Sequence, residues 1–111
     1  MRDPRFELKR WGWYLTLLQG TYFKIKLLYF KKGGEISLQQ HAWRNETWCF
    51  IFGEGWMRNH FQLPHVVKKY MTKGQFWTVP IRNWHHYKAD KPTLVLEIQT
   101  GKCEEEDIFR A

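Results

Sequence analysis

Apolar and aromatic residues occur along this chain in short runs separated by Gly, Pro, Asn and Asp, a pattern typical of an all-β sandwich or barrel. Helical spacing of apolar positions is scarce. The runs predict strands at residues 13–18, 22–31, 35–40, 46–52, 56–61, 66–71, 76–79, 84–88 and 93–99. Because the intervals between these runs are too short for crossover helices, the sheet should be antiparallel. We therefore predict an all-β fold, an antiparallel jelly-roll β-barrel.

Two of the predicted strands carry unusual patterns. In the strand at 22–31, Lys24 and Lys26 share one face, which indicates either the cations of a pocket or a solvated edge of the sheet. The run 47–52 is apolar on both faces, which implies a strand that is covered on both sides. A homodimer formed through the outer face of the sheet is the simplest cover.

The length of 111 residues fits one domain. We predict a single domain over residues 1–111, with a core at 10–101 and short terminal arms, the second of which contains one helical turn. No apolar run approaches the roughly 20 residues that span a bilayer, and the first residues lack an apolar signal stretch. These features predict a cytoplasmic protein without membrane contact. The two cysteines, Cys49 and Cys103, do not form a metal-type pair.

The chain has a formal net charge of +7, from 18 Lys and Arg against 11 Asp and Glu. Such a surplus attracts phosphates, either on nucleic acid or on small metabolites. Because the basic residues are spread along the chain, the charge also fits an ordinary solvated surface. Aromatic residues at strand spacing favour a packed core over a base-stacking surface. Nucleic acid is therefore not the expected partner.

The polar residues with the most informative spacing are Gln39, His41, Glu46 and His85. Gln39 and His41 are two apart on a predicted strand, so their side chains leave the same face and can meet at one ion. Glu46 opens the next strand, after a turn that folds it back beside His41. His85 arrives from a strand much later in the chain. Three other histidines are interpreted as structural residues: His60, His65 and His86.

This spacing resembles the two metal-binding motifs of the cupin superfamily. The first motif is matched by Gly33, five residues, Gln39, one residue, His41, four residues, Glu46, six residues and Gly53, with Gln39 in place of the first His. The second motif is matched by Gly74, Pro80 and His85, with Arg82 in place of its last Gly and Ala89 in place of its Asn. The resemblance implies one divalent metal ion held by Gln39, His41, Glu46 and His85.

Within the cupins, residues 10–110 resemble the type II mannose-6-phosphate isomerase domain, which is often the carboxy-terminal half of mannose-1-phosphate guanylyltransferase. The likeness is carried by residues 10–14, 23–26, 37–39, 44, 46–48, 97–101 and 106–110. That family also tolerates Gln at the first ligand position. Its usual histidines at three further positions are replaced here by Ala42, Trp43 and Thr47.

The resemblance implies isomerisation of a phosphorylated hexose. Two imidazole nitrogens and two oxygens suit Zn, Mn, Fe, Ni or Co without selecting among them. An open coordination position on such an ion can polarise a carbonyl, as aldose to ketose isomerisation requires. Proton transfer needs a base, and we expect Glu46 or Tyr87, which leaves the same strand face as His85. Four cations are expected to bind the substrate phosphate: Lys24, Lys26, Arg44 and Arg82.

Two alternative functions stay open at this point. The chain could be a non-catalytic cupin that binds or sequesters an anionic sugar or a nucleotide-like small molecule, or it could be a basic nucleic-acid-binding module. The isomerase and the non-catalytic cupin share one expected partner, a small anionic molecule. For the isomerase this molecule is a phosphorylated sugar. Metal-dependent turnover of mannose 6-phosphate distinguishes the isomerase from the binding protein.

Overall fold

The structure is a computed structural model that describes residues 5–62, 65–103 and 107–110, with the backbone alone for residues 60–62 and 65–66. The strands of these ranges are β1 (Arg5–Lys9), β2 (Gly12–Gln19), β3 (Phe23–Phe30), β4 (Gln39–Gln40), β5 (Arg44–Phe52), β6 (Gly55–Gln62), β7 (His65–Met71), β8 (Phe76–Val79), β9 (Trp84–Ala89), β10 (Thr93–Gly101) and β11 (Phe109–Arg110). None of the described residues is helical, so no helix among them is long and apolar enough to cross a bilayer.

The strands form two sheets that share one core. The six-stranded sheet has the order β1-β2-β3-β10-β5-β8, and the five-stranded sheet has the order β11-β4-β9-β6-β7. Every strand pair in both sheets is antiparallel. Leu28 and Phe30 of the first sheet belong to the same buried cluster as Met57 and Met71 of the second. The prediction of an antiparallel all-β fold is confirmed.

Both terminal arms contribute strands that the sequence pattern did not predict. Strand β1 adds to the edge of the six-stranded sheet by pairing with β2. Strand β11 pairs with β4 through Phe109 opposite Gln40 and Arg110 opposite Gln39. The described part of the second arm thus contains a strand rather than the predicted helical turn, and residues 104–106 lie outside the described residues. The described parts of both arms, residues 5–9 and 109–110, therefore pair with the two sheets.

The face of β3 that carries Lys24 and Lys26 is the inner one. These two lysines are 3% and 4% exposed, and Leu28 and Phe30 continue the same buried row. Strand β3 lies between β2 and β10, so it is not an edge strand. The predicted alternative of a solvated edge is therefore wrong. The inner face is polar near Lys24 and Lys26 and apolar near Phe30.

The apolar half of the interior is built on stacked aromatic rings. The Phe30 ring lies 4.5 Å from the ring of Trp11, 4.9 Å from that of Tyr87 and 5.8 Å from that of Trp48. Burying a side chain such as Phe30 stabilises the fold by about 1.5–3 kcal/mol, and each favourable ring pair adds about 0.5–1.5 kcal/mol. The apolar half of the interior packs the two sheets together. The polar half contains the side chains that could form a site.

Candidate metal centre

Two histidines and one glutamate converge at the polar end of the interior. His41 lies between β4 and β5, Glu46 on β5 and His85 on β9, and one ligand atom from each lies within 4.8 Å of the other two. The His41 Nε2 atom is 3.1 Å from Glu46 Oε2, and the His85 Nε2 atom is 3.6 Å from Glu46 Oε1. All three side chains are buried. The structure thus brings together three of the four residues that the sequence predicts as ligands.

Both imidazoles are fixed in the tautomer that suits a metal ligand. The Nδ1 atom of His41 is 2.6 Å from the backbone oxygen of Asp107, and that of His85 is 3.3 Å from the backbone oxygen of Asn83. Because a carbonyl oxygen only accepts hydrogen bonds, each Nδ1 must carry the proton. In each neutral ring the Nε2 atom then keeps a lone pair that can bind a cation, and a hydrogen bond from Nδ1 is the usual way of orienting a histidine ligand. When His41 is protonated, its Nε2 instead donates to Glu46 Oε2.

The carboxylate of Glu46 is oriented by its neighbours on β5. Its Oε2 accepts from the Nε and Nη2 atoms of Arg44, each at 3.1 Å, and its Oε1 accepts from the indole Nε1 of Trp48 at 3.1 Å. Burial opposes the charged carboxylate, but the hydrogen bond with His41 and the charges of His85, His41 and Arg44 outweigh burial and hold the pKa of Glu46 well below its usual value. Glu46 is therefore an ionised, oriented carboxylate that could hold a cation.

The two histidines differ in their protonation equilibria. Burial lowers the pKa of His85 below its usual value, which favours the neutral ligand form. Burial also opposes the charged form of His41, but the hydrogen bond and charge of Glu46 outweigh it and raise the pKa of His41. A proton therefore competes with a cation for His41 more strongly than for His85.

Gln39 lies next to this cluster but at its edge. It pairs directly with His85 across β4 and β9, and opposite residues of an antiparallel pair project to the same face. Its side chain is half-buried, and its Oε1 accepts a hydrogen bond from Ser37 Oγ at 3.3 Å. The position fits a fourth ligand, and that role stays a prediction.

The donor set fits a divalent transition metal. Two imidazole nitrogens and a carboxylate are ligands that such ions accept. The buried Nε2 atom of His85 has no hydrogen-bond partner, although buried polar atoms normally have one. A metal ligand role would satisfy this atom. A cation here would compete with Arg44, whose Nη2 is 3.2 Å from His41 Nε2.

The cluster borders a cavity of about 610 Å³, a size typical of small-molecule sites. Five of the residues predicted to bind metal or substrate line it: Lys26, Gln39, His41, Arg44 and Glu46. The other lining residues include charged and aromatic side chains, beside four aliphatic ones and a serine: Lys9, Arg10, Arg110, Glu35, Glu97, Trp11, Tyr14, Trp48, His86, Leu28, Ile36, Leu38, Ile108 and Ser37. His85 is fully buried behind this wall.

The structure does not bring Tyr87 to the cavity. Its ring is fully buried among core aromatics, 4.9 Å from Phe30 and 5.4 Å from Phe50, and its hydroxyl is 3.1 Å from Thr93 Oγ1. Burial raises the pKa of Tyr87 to about 12. The residue shares a strand face with His85, as predicted, but it lies in the apolar half. This location does not fit the predicted role of a base that contacts substrate.

Two of the four predicted phosphate ligands also lie away from the cavity. Arg82 is exposed in the loop between β8 and β9, with its guanidinium carbon 5.9 Å from the centre of the Trp43 ring. Its φ of 61° is the left-handed conformation that glycine favours, and the cupin motif has glycine here. Its N–H donates to the backbone oxygen of His41. Lys24 is buried but does not line the cavity.

Of the three other histidines, His86 lies 2.9 Å from the carboxylate of Glu35 at the cavity wall. The side chains of His60 and His65 lie outside the described residues. The positions where the resembling family has further histidines, Ala42, Trp43 and Thr47, do not line the cavity. The side chains present at these positions therefore contribute nothing to the cavity wall.

The sequence interpretation missed Glu97, a buried carboxyl group on the cavity wall. Glu97 is paired with Lys26 across β3 and β10 and accepts a hydrogen bond from the Gln99 side-chain amide. Burial is the main cause that raises the pKa of Glu97 to about 7, and the charge of Glu46 adds to it. The sequence contained an indication of this site, because Glu97 and Gln99 are polar residues two apart in a mostly apolar strand and therefore share one face.

A second missed residue, Asp107, anchors the loop that carries His41. Its carboxylate accepts hydrogen bonds from the backbone N–H groups of Ala42 at 2.8 Å and Trp43 at 2.9 Å. Its backbone oxygen accepts the His41 Nδ1 proton described above. The carboxy-terminal segment therefore positions one of the candidate ligands.

Comparison with known proteins agrees with this architecture. The sequence profile of the family described as "Mannose-6-phosphate isomerase C-terminal" matches residues 5–111. The chain is 31% identical to mannose-1-phosphate guanylyltransferase of Klebsiella pneumoniae, over 98% of this chain and 24% of that protein. It is 30% identical to the alginate biosynthesis protein AlgA of Pseudomonas aeruginosa, over 90% of this chain and 20% of that protein. The chain thus spans about a quarter or less of these relatives.

Solved structures with low sequence identity share the fold. Oxalate decarboxylase from Bacillus subtilis superposes with a TM-score of 0.87 at 16% identity, over 97% of this chain and 30% of that one. The capsular polysaccharide assembling protein CapF from Staphylococcus aureus superposes with a TM-score of 0.84 at 14% identity, over 99% and 32%. These likenesses confirm the predicted cupin fold. With the match over residues 5–111, they show that the chain belongs to the mannose-6-phosphate isomerase C-terminal family of cupins.

Proposed function

We propose that this domain is a metal-dependent isomerase that interconverts mannose 6-phosphate and fructose 6-phosphate. The observation that carries the proposal is the buried cluster of His41, Glu46 and His85 beside a cavity with a cationic lining. The family description points to the same reaction. In this proposal Gln39 completes the ligand set from β4, and the ion is Zn, Mn, Fe, Ni or Co.

In this proposal, residues of the chain orient the metal ligand Glu46 and transfer the proton. The bound ion would polarise the carbonyl of the open-chain sugar. Arg44 and Trp48 hold the Glu46 carboxylate in its ligand orientation, so Glu46 is occupied by that role. Proton transfer between neighbouring carbons needs a second carboxyl group at the cavity wall, and Glu97 meets this requirement. We therefore assign Glu97, rather than Tyr87, as the base.

The test is a coupled assay of fructose 6-phosphate formation from mannose 6-phosphate by protein loaded separately with each of the five metals. We expect turnover with at least one metal, loss of activity with a chelator, and recovery when the same metal is restored. His85→Ala should lose at least about a hundredfold in activity because one ligand is removed.

Absence of turnover with every metal, in protein shown to bind metal, would contradict the isomerase proposal. The alternative of a non-catalytic domain that binds an anionic sugar would then be favoured. Binding without turnover, measured by titration of the metal-loaded protein with mannose 6-phosphate, is the result expected from that alternative.

We also propose that a second copy of the chain covers the outer face of the six-stranded sheet. A continuous row of apolar or weakly polar residues crosses that face from β2 to β8: Leu15, Leu27, Leu96, Cys49 and Phe76. Phe76 is 67% exposed in the single chain. An apolar face of this extent marks an interaction surface in soluble proteins.

Light scattering should give twice the 13.7 kDa mass of one chain. Leu27→Glu should shift the protein to the single-chain mass because it buries a charge in the proposed interface. Lys69→Glu, which changes an exposed residue of the other sheet, serves as the control. A single-chain mass for the unsubstituted protein at micromolar concentration would contradict the dimer.

A further inference from the structure

The cavity has a buried end and an exposed rim, and both carry cations. Lys26 and Arg44 lie at the buried end, where they are 4% and 5% exposed. Lys9, Arg10 and Arg110 line the cavity from exposed positions. The five cations therefore form two groups at different depths.

The rim cations come from the two terminal segments. Lys9 ends β1 and Arg10 follows it in the turn before β2, whereas Arg110 ends β11. Strand β11 is held against β4, where Arg110 is directly opposite Gln39, the candidate ligand at the edge of the metal cluster. The pairing brings the carboxy-terminal Arg110 to the same cavity as Arg10, one hundred positions earlier in the chain.

The acidic groups near the rim, Glu35 and Glu7, each lie beside a basic side chain. Glu35 is 2.9 Å from His86, and Glu7 is 3.7 Å from Lys9 with both side chains 40% exposed. An exposed ion pair of this length contributes little and is easily exchanged for another partner. The rim therefore keeps an excess of positive charge toward the cavity.

Tyr14 links the rim to the buried end. Its buried ring has the Lys26 Nζ atom 4.1 Å from its centre and the Lys9 Nζ atom 5.6 Å from its centre. One ring thus has an ammonium group from the buried end and one from the rim in contact with it.

We propose that Arg10 and Arg110, assisted by Lys9, bind the phosphate monoester of the substrate at the cavity rim, with the reacting carbons directed inward to the cluster. This inference rests on the proposed isomerase function and specifies the orientation of its substrate. Guanidinium groups suit a phosphate because their N–H donors match two of its oxygens at once. Arg44 is less suited, since it is held by Glu46 and His41.

The test uses titration calorimetry on the metal-free protein, so that binding is measured without turnover. The ligands are mannose 6-phosphate, mannose and mannuronate, and the variants are Arg10→Gln and Arg110→Gln. Each variant should weaken mannose 6-phosphate binding about tenfold, because a charge-assisted hydrogen bond is lost. Mannose should bind all proteins equally. Arg58→Gln, an exposed substitution on β6, is the matched control and should bind like the unsubstituted protein.

Two results would overturn the rim assignment. The first is unchanged mannose 6-phosphate affinity in both arginine variants, together with a loss on Lys26→Gln, which would move the phosphate to the buried end. The second is equal affinity for mannuronate and mannose 6-phosphate, which would show that the protein does not select a phosphate over a carboxylate. A failed isomerase assay leaves this binding test unaffected. If turnover is found, both arginine variants should raise KM while kcat is retained.

Discussion

Replacing His85 with alanine is expected to lower the affinity for a divalent transition metal by more than about a hundredfold. His85 is fully buried, its Nδ1 is held by the Asn83 carbonyl, and its Nε2 faces Glu46. Removal leaves one imidazole, one carboxylate and the amide of Gln39, the proposed fourth and weaker ligand. Competition of each protein with a chromogenic chelator for Zn or Co measures the affinity.

His86→Ala is the matched control for this experiment. It makes the same substitution on the next residue of β9, whose side chain pairs with Glu35 instead of Glu46. The metal affinity of His86→Ala should equal that of the unsubstituted protein. His85→Gln preserves more of the buried volume and should also lose the metal, which separates ligand loss from unfolding. Unchanged affinity in folded His85 variants would contradict the assigned ligand set.

Between about pH 5 and about pH 8, the free energy of unfolding of the metal-free protein is expected to fall on the order of 2–3 kcal/mol more than that of the Glu97→Gln variant. Burial raises the pKa of Glu97 to about 7 in the folded protein, above its usual 4.5. The folded state therefore binds more protons than the unfolded state between these two values, so stability falls as pH increases through that window. Glutamine stays neutral and removes this dependence. Urea unfolding at each pH measures the difference.

Glu54→Gln is the control, because it removes a carboxyl group whose pKa is lowered rather than raised. A hydrogen bond from Lys91 lowers the pKa of Glu54, so its contribution is lost only as the pH falls through the acidic range. Glu54→Gln should leave the pH dependence between about 5 and 8 unchanged. Parallel stability curves for the unsubstituted protein and Glu97→Gln across this range would contradict a raised pKa for the buried Glu97 carboxyl group.

The long strands could be predicted because their residues are apolar or aromatic at strand spacing. Strands β3, β5 and β10 lie in the middle of the six-stranded sheet, and their bounds differ from the predicted ones by two residues or fewer. Strands β1 and β11 lacked such a signal. Most residues of β1 are exposed, and β11 is only two residues long, so both depend on the strands they join.

The convergence of His41, Glu46 and His85 could be predicted because two motifs fix their spacing, whereas the groups around them could not. Alternation along a strand identifies the face of a side chain but not its depth in the barrel. Tyr87 shares the face of His85, yet one step of two residues, about 6.6 Å, carries it from the polar to the apolar half. The rim residues Arg10 and Arg110 lie far apart in the sequence, and the pairing of β11 with β4 places Arg110 in the cavity that Arg10 also lines.

Binding of one metal ion by His41, Glu46 and His85 can be observed directly in crystals of the protein. Crystals grown with Zn or Mn are measured at the absorption edge of that metal. We expect one strong anomalous peak about 2.0–2.3 Å from the Nε2 atoms of His41 and His85 and from the Glu46 carboxylate. A fully ordered cluster without a peak, or a peak only at other residues, would contradict it.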